Sequence, residues 1–207
     1  MKLRRLLVIP VVALAMVVAG PAWAASYTVT VGGSAAPADH AATAAGSAPQ
    51  WGYEKPDGTT LRITCSSMRL DLNVRSGPSA GSFAAVPGGS TNSCTWPLGA
   101  MAYPHVGTWQ LDLTGPATSG NTDVIDGLLR NVRIDNAYAI CSFKTVGEAR
   151  VRFHEATQRL EIIETGLSGR LRQTGVYGCL GQLRNNGAVN LETTLAVTSP
   201  DGAINVS

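Results

Sequence analysis

The sequence predicts an all-β fold: an antiparallel β-sandwich of two loosely similar halves, each with one disulfide, with a barrel-like closure as the alternative. Three observations carry this. Apolar residues recur at every second position through most of the chain, the period of a strand with one buried and one wet face. Clusters of Gly, Pro, Asn, Asp and Ser separate those stretches, as short connections require. Four cysteines, an even number, follow a start with the pattern of an export signal.

That start, "MKLRRLLVIPVVALAMVVAGPAWAAS", has Lys2, Arg4 and Arg5, then an apolar run, then Ala22-Trp23-Ala24. It is read as a signal peptide over 1–24, cleaved after Ala24. Residues 25–207 then form a single all-β domain, secreted or held at the cell envelope. No later apolar run is long enough to cross a bilayer. The net charge of +2 contains three signal-peptide cations, so the remainder has 13 basic residues against 14 acidic. That balance gives no reason to expect nucleic acid as a partner.

Each strand is read from its alternation. Tyr27, Val29 and Val31 open the series, and residues 34–58, rich in Ala, Gly, Ser and Pro, are read as a mobile connection. The first half, 59–116, has Leu61-Ile63-Cys65, then Met68-Leu70-Leu72-Val74, then Trp109-Leu111-Leu113. The second half, 122–200, has Val132-Ile134-Asn136-Tyr138-Ile140, Ala149-Val151-Phe153 and Leu191-Leu195-Val197. "SGPSAG", "PGGS", "TSGN", "RNNG" and "SPDG" mark the turns. Helical periodicity is nearly absent; "VIDGLLRNV" is interrupted by Gly127 and reads equally as a bent strand.

The cysteines are Cys65, Cys94, Cys141 and Cys179. Structural zinc needs close pairs, and the nearest two here are 29 positions apart. Disulfides are expected, with three connectivities open. "CTWPLGAMAYPHVGTWQLDLTGP" and "CLGQLRNNGAVNLETTLAVTSP" share a Cys, a Leu-containing turn, a strand and Thr-x-Pro. A strand ending in Cys, "TLRITC" or "NAYAIC", precedes each. This loose repeat selects Cys65–Cys94 and Cys141–Cys179, one staple per half. On the loop-entropy model each such closure contributes roughly 3–4 kcal/mol.

With its signal, "ASYTVTVGG", "CTWPLG", "ICSFKTVGEARV" and "YGCLGQLRNNGAVN…LAVTSP", the chain resembles a group of small uncharacterised secreted proteins of actinobacteria. The resemblance implies export and a stapled all-β fold. It brings no catalytic constellation.

No catalytic residues, metal ligands or cofactor are identified. "GPSAG" matches G-x-S-x-G around Ser79, but no strand-to-helix elbow follows it, so it reads as a turn. His40, His105 and His154 show no ligand spacing. Two surfaces are candidates for binding. One is the loop 95–107, with Trp96, Tyr103 and His105, where exposed rings would form a platform. The other is a strand face bearing Arg150, Arg152, Arg170 and Arg172, suited to an anionic polymer. Its interleaved Glu148, Glu155, Glu161 and Glu164 point instead to a solvated, charge-balanced face. The expected function is a secreted, non-enzymatic interaction module for an unknown ligand, a cell-wall polymer or a secreted protein. The alternatives are a hydrolase with a dispersed carboxylate pair among Asp71, Asp112, Glu155, Glu161 and Glu164, and a protease inhibitor presenting a stapled loop. A membrane pore is disfavoured because outward positions such as Arg69 and Asp71 are charged.

Overall fold

A computed structural model describes residues 26–79, 82–96, 99–101, 103–118, 120–138 and 140–207. The expected signal peptide at 1–24 lies outside them. Sixteen strands follow in chain order: β1 (Tyr27–Val31), β2 (Asp39–Ser47), β3 (Gln50–Glu54), β4 (Thr60–Thr64), β5 (Ser67–Arg75), β6 (Gly77–Ser79), β7 (Ser82–Asn92) and β8 (Cys94–Trp96). The rest are β9 (Gly99–Met101), β10 (Trp109–Leu113), β11 (Val124–Tyr138), β12 (Cys141–His154), β13 (Arg159–Glu164), β14 (Leu171–Tyr177), β15 (Val189–Thr198) and β16 (Ile204–Val206). Among the described residues one 3₁₀ turn, Gly166–Ser168, interrupts them.

Of the two architectures open to the sequence, the chain forms the closed barrel rather than the sandwich. Eight strands pair in the order β2-β5-β7-β10-β11-β12-β13-β15, and β15 returns to β2 through Ala196↔Ala45 and Val197↔Ala44. Every pairing is antiparallel. Barrel neighbours follow one another along the chain, with β3–β4, β8–β9 and β14 as excursions. Closure removes the free edges that a sandwich would leave.

The period-two expectation is met. Leu70, Leu72 and Val74 of β5, Leu111 and Leu113 of β10, and Val151 and Phe153 of β12 are buried. Arg69, Arg150 and Arg152 alternate with them and point outward. An apolar interior with a charged exterior is the reverse of a lipid-facing barrel. Phe83 and Phe153 meet inside at 5.3 Å.

Segment 34–58 is not a mobile connection: it supplies β2 and β3. Its alanines defeated the composition rule. Ala42 and Ala44 are buried opposite Leu72 and Leu70, where small side chains accommodate large partners.

Beyond one rim, the excursions extend the barrel into an aromatic upper tier. β3 pairs the first half of β15, and β14 pairs the first half of β12. Trp51, Tyr53, Tyr103 and Phe143 pack there. Both expected disulfides, Cys65–Cys94 and Cys141–Cys179, close at this end, and no described cysteine is free. The opposite rim is capped by the small sheet β16-β1-β6. Tyr27 Oη donates to the Gly115 carbonyl there.

Candidate functional site

The expected aromatic platform is turned inward. Trp96 and Tyr103 are only 6% and 4% exposed. Tyr103 stacks on Trp51 at 5.3 Å, and burial pushes its phenol well above the usual range. His105 stacks on Trp109 at 4.1 Å, and its Nε2 lies 2.7 Å from the Gly107 carbonyl.

The arginine face exists, but its charges are paired. Arg152 Nε meets Asp126 at 2.9 Å, and Arg170 Nη1 meets Glu148 at 3.5 Å. Arg150 donates to Thr165 Oγ1 at 3.0 Å and lies 3.9 Å from the buried Glu164. Arg172 stands apart and donates to the Asn186 carbonyl at 3.0 Å. The groove beside them, lined by Asp126, Leu128, Arg150, Arg152, Ile163 and Arg170, is open and carries both signs. Such a face has little net field for an anionic polymer.

The carboxylates of the hydrolase alternative are likewise committed. Asp71 pairs with Arg69 at 3.0 Å, Asp112 with Arg130 at 2.7 Å, and Glu161 with His154 at 3.1 Å. Glu164 receives the Arg150 N–H at 3.1 Å and the Ser168 hydroxyl. Glu155 is buried and receives backbone N–H groups of Asp123 and Val206. Among the described residues no group of three His, Cys, Asp or Glu side chains could hold a metal ion.

Two arrangements that sequence reading missed are better defined. At the disulfide-bearing rim, three large apolar side chains stand in solvent: Ile140 at 57% exposure, Tyr177 at 78% and Leu180 at 64%. They are neighbours. Ser142 pairs with Tyr177, Cys141 is bonded to Cys179, and Gly178 packs against the Ile140 carbonyl. Leu180 and Gly181 are the central residues of a turn closed by Gln182 N–H to Cys179 O at 2.9 Å. Their φ values are +51° and +69°. Both central residues being left-handed defines a type I′ turn, which favours Asn or Gly at the first position. A leucine there is strained by about 1–2 kcal/mol.

At the capped rim, three side chains far apart in sequence form one row. His40 Nδ1 lies 2.7 Å from Asp201 Oδ2, and His40 Nε2 lies 3.1 Å from Ser76 Oγ. Ser76 is 2% exposed. Its hydroxyl is 2.5 Å from the Ala36 carbonyl and receives the Ala38 N–H at 3.1 Å. His40 is the second residue of β2, Ser76 follows β5, and Asp201 sits in the turn before β16. Val74 and His40 are register partners, which places His40 on the inward row. No spacing rule could have joined these three, since barrel closure brings them together. Ser79 of the G-x-S-x-G match is elsewhere, on the cap sheet, with its hydroxyl on the Ser82 carbonyl.

The chain matches no protein-family model, no curated protein and no solved structure.

Proposed function

We propose that this protein is an exported binding module that docks a protein partner through the Ile140–Tyr177–Leu180 knob. The two disulfides fit an oxidising, extracellular setting. The signal-type start and the resemblance to small secreted actinobacterial proteins support export to it. The observation that carries the docking surface is Leu180, a bulky residue held left-handed and 64% exposed. Backbone strain opposes that placement, and residues held in such conformations cluster at functional sites. The second disulfide and the turn fix the three side chains before contact, which lowers the ordering cost of binding. Tyrosine beside a leucine gives a rigid, partly apolar protrusion suited to an apolar recess on another protein.

The test uses the folded protein, immobilised, against envelope and medium fractions of its producing organism. Tyr177→Ser combined with Leu180→Asn removes two of the three side chains of the knob. Leu180→Asn creates Asn-Gly, the favoured pair for this turn, so the variant should remain folded and gain stability at position 180. A defined protein retained by the native chain should bind the variant at least about tenfold more weakly. Unchanged retention, or capture of a wall polymer in place of a protein, overturns the reading.

A further inference from the structure

We propose that Ser76 is a reactive serine, activated by His40 and Asp201, which captures activated acyl or phosphonyl groups when the segment over it lifts. It lies at the opposite rim from the knob and does not depend on the docking proposal. The geometry is that of a nucleophile, a base and an orienting carboxylate: Oγ to Nε2 at 3.1 Å, then Nδ1 to Oδ2 at 2.7 Å. A carboxylate only accepts, so Nδ1 carries a proton. When the ring is neutral, Nε2 then carries the lone pair that base catalysis requires. It faces Oγ at 3.1 Å, and the contact becomes a hydrogen bond to the base only once the hydroxyl turns its proton from the Ala36 carbonyl to Nε2.

In the closed arrangement the serine is quenched, because its proton goes to the Ala36 carbonyl at 2.5 Å. The cover is thin. Residues 32–39 are exposed along their whole length, and Asp201 is 51% exposed beside them. The segment is fastened to the site mainly through Ser76: Ala36 O and Ala38 N to Oγ, and Ser76 N to Ala38 O at 2.9 Å. Pro37 rests on Gly77. Exposed segments with few anchors open at low free energy. Once residues 35–38 lift, the hydroxyl turns its proton to Nε2.

The step balances simply. Oγ bonds to the acyl carbon or phosphorus, His40 Nε2 takes the hydroxyl proton, and the leaving group departs with its electron pair. Ser76 N–H is engaged by Ala38 O in the closed arrangement, so no amide of its own is pre-set for a developing oxyanion. The expected chemistry is therefore covalent capture from donors with good leaving groups, not rapid turnover.

The probe is a fluorophosphonate, with the adduct located by peptide mass mapping of the full chain. The native protein should be labelled at Ser76 only when folded, and Pro37→Gly should be labelled faster. Asp201→Asn, at a half-exposed turn position, should slow labelling by about 10²-fold or more through loss of the correct tautomer, with native thermal stability checked in parallel. An adduct at Ser76 with the same rate in Asp201→Asn overturns the relay. No adduct in either the native or the Pro37→Gly protein, both folded, overturns the proposal and leaves the row as a fastener of segment 34–38.

Discussion

Glu155 shows how one side chain couples this fold to pH. It is buried at the capped rim, receives the Asp123 and Val206 N–H groups, and its neighbour Gln158 holds both Ile204 N and O. A carboxylate and an amide thus serve the outer edge of β16 as a strand would. Burial pushes the Glu155 carboxyl above the usual glutamate range, against the pull of the backbone donors. A raised carboxyl binds its proton more tightly folded than unfolded. Its contribution is full below the unfolded value and is lost as pH rises through the folded one. Denaturant titrations at about pH 4 and about pH 7 should show this group's loss of stability in the native protein. Glu155→Gln, which cannot ionise, should flatten that difference. An equal pH dependence in both proteins would show that Glu155 contributes nothing to it.

At the scale of elements, the long hairpin β11–β12 bends where barrel passes into upper tier. Its register breaks between Leu129 and Val132, with Asn131 at φ +57° inside the break, and Val132 just past it faces Gly147 at φ +130°. Ala48, between β2 and β3, is also left-handed, at φ +52°. Each marks a point where a strand leaves the barrel or bends away from it. Gly147 has no alternative: a Cβ there would overlap the Arg170 carbonyl oxygen. Gly147→Ala should destabilise by more than the roughly 1–3 kcal/mol of backbone strain alone, read as a lowered denaturant midpoint. A midpoint shift near zero would mean that the hairpin does not need this bend.

For the whole molecule, stability should be graded from one rim to the other. The eight barrel strands bury their apolar rows completely and have hydrogen-bonded neighbours on both sides. Residues 32–38 lie outside that closure and are exposed. Amide hydrogen exchange should be slowest in β5, β10, β12 and β15 and fastest in 32–38, with the gap spanning most of the global stability. Protection of 32–38 equal to the barrel strands would contradict this grading and also the thin cover assigned to Ser76.

Strand existence and facing were legible because a two-residue period is a local property: Leu70, Leu111 and Val151 announce their inward face from their immediate neighbours. The loose repeat also located both staples, since each joins strands of one half. Closure was not legible. Whether β15 pairs with β2 depends on twist and shear accumulated around eight strands, which no single strand encodes. The aromatic loop was misjudged for the same reason, as loop rings face solvent or core according to a tier assembled from distant strands. His40, Ser76 and Asp201 were invisible because they sit at strand ends and in turns, 36 and 161 positions apart. Alternation, turn chemistry and the cysteine pattern by themselves determined an all-β, doubly stapled chain. Only the tertiary closure decided which side chains meet, because contact between distant segments is a property of the assembled barrel.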